Sequence, residues 1–344
     1  MKKLISIILS LCLLLTFAAA ENAPAARETA EMTAEELYEA GKEAANAEDY
    51  AKAKELFEQG AEKGSAGALD GLGWLYQYGL GVEQSLEKAL EYYQKSADLG
   101  FAKGQLHLAY MYENGEGVEQ SHETAAKYFQ LAADQGIAEA QYVMGVAFEN
   151  GYNVGQSYEK AVEYFRLAAD QGCAEAQFNL GCVYEMGTGV EQSYEKATEY
   201  YRLAADQGIP DALINLGLLY RNGSGVEQSY EKAMELFQQA ADQGDPGGLN
   251  NIGDMYENGL GVEQDYEKAM EYYLRAADLG FDFALISIGN LYWQGLGVEQ
   301  NQETAREYFR KAFESGDRMA QATLGILVAS GMITEEDYQP VPAV

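Results

Sequence analysis

A four-residue motif, Gly-Val-Glu-Gln, recurs at a constant interval along this sequence of 344 residues. The copies begin at Gly81, Gly117, Gly189, Gly225, Gly261 and Gly297, and a degenerate copy occupies Asn153 to Gln156. Neighbouring copies are 36 residues apart, without insertions. A fixed period of this length is typical of solenoid arrays, in which each unit buries its apolar face against its neighbours. The period therefore predicts one repeat array rather than several unrelated globular domains.

A helix, named helix B, is predicted after each motif. The residue that follows the motif is a good helix N-cap in all seven repeats: Ser85, Ser121, Ser157, Ser193, Ser229, Asp265 and Asn301. Apolar positions equivalent to Ala89, Tyr93 and Ala97 are spaced by four residues and form one buried face. A glycine equivalent to Gly100 then ends the helix in the left-handed conformation.

A second helix, helix A, is predicted before each motif. It begins near Ala66 and ends at Gly79, two residues before the motif. A Leu-Gly pair such as Leu72-Gly73 lies in the middle of this helix in most repeats. Glycine inside a helix costs ~1 kcal/mol relative to alanine. Its repeated use predicts a helix crossing that leaves no room for a side chain.

The combined pattern resembles the Sel1-like repeat, a relative of the tetratricopeptide repeat. It reads Ala-x-x-x-Leu-Gly-x-x-Tyr-x-x-Gly-x-Gly-Val, then Lys-Ala-x-x-Tyr-Tyr-x-x-Ala-Ala-Asp-Gln-Gly, and covers about Ser65 to Met332. The resemblance implies an all-α, right-handed α/α superhelical solenoid of 36-residue helix-turn-helix repeats. It also implies a scaffold or adaptor that binds other proteins, without naming a partner.

The flanks of the array differ from the repeats. Residues 1–20 match a secretory signal peptide, because two lysines precede an apolar run and a small-residue cleavage site at Ala20. The expected segments are a signal peptide at 1–20, a flexible leader at 21–32, an N-terminal tetratricopeptide-like capping hairpin at 33–64, seven Sel1-like repeats at 65–317, and a C-terminal capping half-repeat and tail at 318–344. Cleavage after Ala20 predicts a secreted or periplasmic protein without membrane insertion.

Charge and motif content exclude several classes of function. The chain has 23 Lys plus Arg against 55 Asp plus Glu, a net charge of −32. A strongly negative surface repels nucleic acid, so no nucleic-acid partner is expected. The sequence has no zinc-protease motif, phosphate loop or nucleophile elbow, and its two histidines form no cluster with cysteine. These observations predict a protein that is not an enzyme and uses no cofactor or metal.

Comparison of the repeats with one another separates packed positions from variable ones. The variable columns of helix A begin at Trp74, Gln77 and Tyr78, which share one face. By resemblance to tetratricopeptide repeats, this face lines the concave groove where ligands bind. The candidate partner-binding residues in these columns are Trp74, Gln77, Tyr78, Tyr110, Glu113, Asn114, Glu149, Glu185, Arg221, Asp254, Glu257, Asn290 and Trp293. The column of Asp70 is mostly apolar, which favours core packing.

The composition of these columns suggests the kind of partner. Trp74, Tyr78, Tyr110 and Trp293 are expected to be exposed aromatic anchors, although they could instead cover neighbouring helices. The carboxylates favour a protein or peptide of basic or mixed charge, although they could instead form a solvated acidic face. The sequence thus predicts a non-enzymatic exported scaffold. The alternative is a glycan or cell-wall binding module that uses the groove aromatics.

Overall fold

The computed structural model describes residues 32–338, which are all-α and contain no strand. The predicted signal peptide, nearly all of the leader and the last six residues lie outside the described residues. The helices are α1 Ala34–Asn46, α2 Tyr50–Glu62, α3 Ala66–Tyr78, α4 Leu86–Asp98, α5 Ala102–Asn114, α6 His122–Asp134, α7 Ala138–Asn150, α8 Tyr158–Ala169, α9 Ala174–Met186, α10 Tyr194–Asp206, α11 Pro210–Asn222, α12 Tyr230–Asp242, α13 Pro246–Asn258, α14 Tyr266–Asp278, α15 Phe283–Gln294, α16 Gln302–Glu314 and α17 Arg318–Ala329, followed by the 3-10 helix η1 Glu335–Asp337.

The chain divides into two compact units, with the boundary between Gln120 and Ser121. Within each unit, consecutive helices pack against each other as pairs. Odd-numbered helices are helix A of each pair and even-numbered helices are helix B. In the first unit, α3 packs on α4 and also contacts α1 and α5. In the second unit, the two helices pack on each other in the pairs α7–α8, α9–α10, α11–α12, α13–α14 and α15–α16, and each helix B also packs on the helix A that follows it. The prediction of an all-α solenoid of helix-turn-helix repeats is confirmed. Between residues 32 and 338, no helix is long and apolar enough to cross a membrane.

The ends of the helices follow from the local sequence. All seven predicted N-cap side chains accept a hydrogen bond from a backbone N–H in the first turn. Helix A ends at Gly79, with φ of 69°, and the glycine after helix B, Gly100, has φ of 82°. Side chains with a Cβ disfavour this left-handed conformation, which explains why glycine returns at both places. The predicted starts and stops are confirmed.

The glutamine of the repeated motif has a structural role that the sequence pattern did not explain. Gln84 Nε2 donates to the carbonyl oxygen of Gln77 at 2.8 Å. Each of the other six motif glutamines donates to the carbonyl oxygen seven residues earlier: Gln120, Gln156, Gln192, Gln228, Gln264 and Gln300. The carbonyls of the last helical turn have no partner within the helix. The glutamine amide therefore fastens the loop to the end of helix A.

The mid-helix glycine of helix A faces an aromatic ring of helix B. A Cβ built on Gly73 would lie 2.6 Å from the ring of Tyr93, and one built on Gly253 would lie 2.6 Å from the ring of Tyr273. The same contact joins Gly145 to Phe165, Gly181 to Tyr201, Gly217 to Phe237 and Gly289 to Phe309. These rings are fully or almost fully buried. The predicted crossing without room for a side chain is confirmed, and we call it the glycine–ring contact.

The glycine–ring contact can be tested by comparing Gly253→Ala with Gly325→Ala. The first change forces a methyl group into the ring of Tyr273, whereas no heavy atom lies within 4 Å of a Cβ at Gly325. We expect Gly253→Ala to lower the free energy of unfolding by ~1–3 kcal/mol through overpacking. Gly325→Ala should raise it by up to ~1 kcal/mol through helix propensity. Urea unfolding followed by far-UV circular dichroism measures both, and effects of the same sign at the two positions would contradict the contact.

Candidate functional site

The thirteen candidate residues lie on A helices, at positions that we call the A-face. In the first unit, the A-face consists of Trp74, Gln77 and Tyr78 on α3 and of Tyr110, Glu113 and Asn114 on α5. In the second unit, it consists of Glu149 on α7, Glu185 on α9, Arg221 on α11, Asp254 and Glu257 on α13, and Asn290 and Trp293 on α15. Only Tyr78 and Asn114 are exposed, and the other eleven are half-buried.

The aromatic residues of the A-face are covered more than the sequence suggested. The ring of Trp74 lies 6.3 Å from that of Tyr50 and 6.1 Å from that of Tyr78, measured between centroids. The ring of Trp293 lies 6.2 Å from that of Phe309. Because these neighbouring rings cover part of each indole, both tryptophans contribute to the packing of their repeats and are only partly accessible. Tyr78 is the most accessible of the four expected anchors, with 50% of its surface exposed.

The hydroxyl of a helix-B tyrosine reaches the A-face in three repeats. Tyr201 donates to Glu185 Oε2 at 2.6 Å, and Tyr273 donates to Glu257 Oε2 at 2.6 Å. In the first unit Tyr93 donates to Gln77 Oε1 at 2.8 Å. Burial, reinforced by nearby negative charge, raises the pKa of each tyrosine well above its ordinary value, so the hydroxyls remain protonated donors.

Sequence reasoning missed these hydrogen bonds, although the sequence has a signal for them. The helix-B residue of the glycine–ring contact alternates between tyrosine and phenylalanine. Wherever it is tyrosine, the A-face residue 16 positions earlier is glutamine or glutamate: Gln77 with Tyr93, Glu185 with Tyr201, and Glu257 with Tyr273. The same tyrosine thus fills the glycine notch with its ring and hydrogen-bonds the A-face with its hydroxyl.

Glu149 has the same position in its repeat but lacks this hydrogen bond. The corresponding helix-B residue is Phe165, which has no hydroxyl group. No side-chain donor among residues 32–338 contacts the Glu149 carboxylate. Burial raises its pKa above the ordinary value of 4.5. The Glu149 carboxylate is therefore a half-buried acceptor without a donor.

The second unit also holds a charged group on α11 and α13. Arg221 Nη1 lies 2.6 Å from Asp254 Oδ2. Burial still raises the pKa of Asp254, although Arg221 and a hydrogen bond from Asn258 oppose the rise. Burial likewise raises the pKa of Glu257, with the charge of Asp254 adding to the effect and the Tyr273 hydroxyl opposing it. These carboxylates are thus only partly compensated for their loss of water.

A second unpredicted interaction lies in the first unit. Asp70, in the column expected to be core, is 6% exposed, and its Oδ1 lies 2.7 Å from Nδ1 of His107. The imidazole ring of His107 also lies 4.9 Å from the ring of Tyr93. The prediction of burial at Asp70 is confirmed, but the interaction is polar. It connects α3 to α5, across 37 positions of sequence.

The A-face is suited to hydrogen bonding and charge recognition. Its residues carry carboxylate and amide oxygens. One amide oxygen, Asn290 Oδ1, is buried and has no hydrogen-bond partner. In the described part of the chain, no group of three or more His, Cys, Asp or Glu is placed to hold a metal ion. Burial raises the pKa of the Cys173 thiol to about 12 and also raises that of Cys182, so both thiols are protonated.

Comparison with known proteins identifies the repeat. The Sel1 repeat family model matches eight segments, at residues 24–65, 66–101, 102–137, 138–173, 174–209, 210–245, 246–281 and 283–317. The chain belongs to the Sel1 repeat family. The first match includes the segment predicted as a capping hairpin.

Two solved structures share this fold. The crystal structure of c5321, a protective antigen of uropathogenic Escherichia coli strains, is 33% identical with a TM-score of 0.71, and the match covers 88% of this chain. This Sel1 repeat chain spans 66% of the length of c5321. A Sel1 repeat protein from Oxalobacter formigenes is 29% identical with a TM-score of 0.61, and the match covers 70% of this chain and 94% of that protein. No curated protein matches the sequence.

Replacement of Glu149 by glutamine tests the state of its carboxylate. The folded state raises the pKa of Glu149, so the folded state binds this proton more tightly than the unfolded state. The contribution of this group to stability therefore falls as the pH rises from 4.5 through the raised pKa. We expect Glu149→Gln to increase the melting temperature at pH 7, and the increase to shrink below pH 4.5.

The matched control is Glu163→Gln, which removes the same charge from an exposed position on α8. Thermal unfolding followed by circular dichroism at several pH values gives both melting temperatures. An equal effect of the two substitutions at every pH would show that burial does not destabilise the charged form of Glu149.

Proposed function

We propose that this Sel1 repeat protein is a non-enzymatic exported scaffold or adaptor that binds a protein or peptide through the A-face. Sel1 repeat proteins are generally protein-interaction scaffolds. The A-face supports this function because it combines half-buried aromatic rings with half-buried polar groups. Such a surface resembles the centre of a protein interface, where aromatic residues and desolvated polar groups contribute most of the affinity.

The observation that carries the proposal is the partial burial of three carboxylates in the second unit. Burial raises the pKa of Glu149, Asp254 and Glu257. A carboxylate partly removed from water interacts more strongly with a cation than an exposed one does, because the local dielectric constant is lower. Arg221 is the one cation among the A-face residues, and it is paired with Asp254. The partner is therefore a protein or peptide with basic or mixed charge.

The charge of the whole chain supports the same partner. Because the net charge is −32, long-range electrostatic attraction draws basic proteins toward this protein before any direct contact forms. This attraction increases the rate of association more than the final affinity, and salt weakens it. The half-buried carboxylates then provide the short-range contacts.

The first test is a pull-down with the chain from Glu21 to Val344, using extracts of the cell envelope and the culture medium. The test variant carries Glu149→Gln, Glu185→Gln and Glu257→Gln. Gln77 already accepts a hydrogen bond from Tyr93, so glutamine can keep the corresponding tyrosine contacts while the charge is lost. We expect a basic protein to be retained by the wild type and lost with this variant, as read by mass spectrometry.

The matched control carries three glutamate-to-glutamine changes at exposed helix-B positions, Glu163, Glu199 and Glu235. It has the same net charge as the test variant, so it separates local contacts from long-range attraction. The control should retain the partner. Equal loss with both variants, or no retained protein from a folded wild-type chain, would contradict binding through the A-face.

Export can be tested independently of binding. We propose that the first twenty residues are removed after Ala20, so the intact mass of the exported protein should correspond to a chain that starts at Glu21. The variant Leu14→Lys interrupts the apolar run and should remain uncleaved in the cytoplasm. Full-length wild-type protein in the cytoplasm alone would overturn the export proposal.

A further inference from the structure

A row of exposed leucines crosses three B helices of the second unit. Leu131 on α6, Leu167 on α8 and Leu203 on α10 are 46%, 44% and 43% exposed. They occupy one column of three consecutive repeats, so they follow one another from helix to helix. Exposed aliphatic side chains that form a patch are typical of interaction sites. We call these three residues the leucine row.

The other repeats show that this column faces solvent. It holds Lys95, Gln239, Arg275 and Lys311 in the four remaining repeats, and all four residues are exposed. The packing of the array therefore does not require an apolar residue at this position. The leucine row needs a reason outside the array.

The leucine row replaces a cation that pairs with a carboxylate elsewhere. In the first unit, Lys95 Nζ lies 2.6 Å from Oε1 of Glu91, one helical turn earlier. Glu163 and Glu199 occupy the position of Glu91 in their repeats, and each is followed four residues later by a leucine of the row. On α6 this position holds Lys127 instead. A leucine cannot supply the ion pair that lysine supplies to Glu91.

A second line of carboxylates lies on the other side of the leucine row. Asp134, Asp170 and Asp206 follow the three leucines by three residues, and all three are exposed. Spacings of three and four residues place the glutamate, leucine and aspartate of a repeat on one side of its helix. The arginines next to the row, Arg166 and Arg202, donate to tyrosine hydroxyls of the following repeats. The leucine row thus lies between two lines of carboxylates.

A cavity of about 380 Å³ opens beside Leu167, between α6 and α8. Its wall includes Leu167, Tyr164, Asp134, Glu163 and Lys160. The ring of Tyr164 stacks on that of Phe148, with 5.7 Å between the centroids and 6° between the planes. The cavity can therefore receive a long side chain that extends from a segment bound on the leucine row.

Arginine is the side chain that suits this cavity. A guanidinium group stacks on aromatic rings and pairs with carboxylates in a fixed planar geometry. Tyr164 supplies the ring, and Asp134 and Glu163 supply two carboxylates against the one ammonium group of Lys160. The charge of the wall thus favours a cation.

The same charges select the kind of partner. An anionic membrane is repelled by the two lines of carboxylates, and so is a second copy of a chain with a net charge of −32. A basic amphipathic helix offers an apolar side bordered by cations, which complements an apolar row bordered by carboxylates. This partner is the one whose charge fits.

We propose that the leucine row binds an amphipathic helix of a partner protein, whose apolar stripe is flanked by arginine residues. The stripe covers Leu131, Leu167 and Leu203, and the flanking arginines meet the carboxylates on both sides. One arginine enters the cavity beside Leu167. This surface is formed by B helices and is separate from the A-face.

A stapled helical peptide of leucine and arginine is a direct probe for this site. It has about 18 residues, with leucines at spacings of three and four so that they share one side. A second stapled peptide has the same composition in an order that scatters the leucines around the helix. Fluorescence anisotropy with the chain from Glu21 to Val344 should show saturable binding of the first peptide. The scattered peptide should bind at least about tenfold more weakly, because it lacks the apolar stripe.

The variant Leu167→Lys locates the site. Lysine is the residue that Lys95 and Lys311 hold in this column, so the fold should persist, as checked by circular dichroism. We expect the peptide to bind at least about tenfold more weakly, because an apolar contact is lost and a repulsive charge is gained. The matched control is Gln239→Lys, which adds the same charge in the same column outside the leucine row and should leave the affinity unchanged.

Two triple variants of equal net charge separate this site from the A-face. Glutamine at Glu163, Glu199 and Glu235 removes carboxylates beside the leucine row and should weaken binding of the peptide about threefold or more. Glutamine at the A-face residues Glu149, Glu185 and Glu257 should leave its affinity unchanged. The reverse pattern would assign the peptide to the A-face and overturn the proposal.

Other results would also overturn the proposal. One is no saturable binding of the ordered peptide, or binding that Leu167→Lys leaves unchanged. Another is binding to phosphatidylglycerol vesicles that Leu167→Lys abolishes, since this result assigns the leucine row to a membrane. Self-association in analytical ultracentrifugation that Leu167→Lys abolishes would assign the row to a second copy.

Discussion

The glycine–ring contact is the interaction on which six of the repeats depend, those of Gly73, Gly145, Gly181, Gly217, Gly253 and Gly289. Helix A can approach helix B closely only because a glycine such as Gly253 leaves space for the ring of Tyr273. The ring in turn fills that space and is almost completely removed from water. Loss of either partner produces overlap or a cavity, and both destabilise a packed core.

The same contact connects the core to the candidate binding surface. Where the ring belongs to tyrosine, its hydroxyl continues to the A-face and donates to Glu185 or Glu257. Where it belongs to phenylalanine, as at Phe165, the corresponding Glu149 has no donor. The presence or absence of a tyrosine hydroxyl in the core therefore decides whether the glutamate on the A-face has a hydrogen-bond donor. The repeats share a backbone but differ in the hydrogen bonding of their A-face residues.

The sequence predicted the features that depend on local chemistry. N-caps, left-handed glycines and the apolar spacing are properties of neighbouring residues, and the exact period made them visible seven times. The glycine crossing was also predictable, because an unfavourable residue that returns in the same place needs a steric reason. Residues such as Gly79 and Ser85 have the predicted roles.

The missed features depend on side chains that are distant in sequence. The pair of Asp70 and His107 and the hydrogen bonds between helix-B tyrosines and the A-face require the register of one helix against another. Comparison of columns identifies variable positions but does not pair them. For the same reason, the sequence overestimated the exposure of Trp74 and Trp293, whose rings are covered by Tyr50 and Phe309.

The proposed binding through the A-face depends on the half-buried carboxylate of Glu149, whose pKa is raised by burial. An NMR titration of the Glu149 side-chain carboxyl carbon measures this most directly, with the resonance assigned by Glu149→Gln. We expect a pKa above 4.5 in the free protein, and a lower pKa once a basic partner is bound. A pKa at or below 4.5 in the free protein would contradict it.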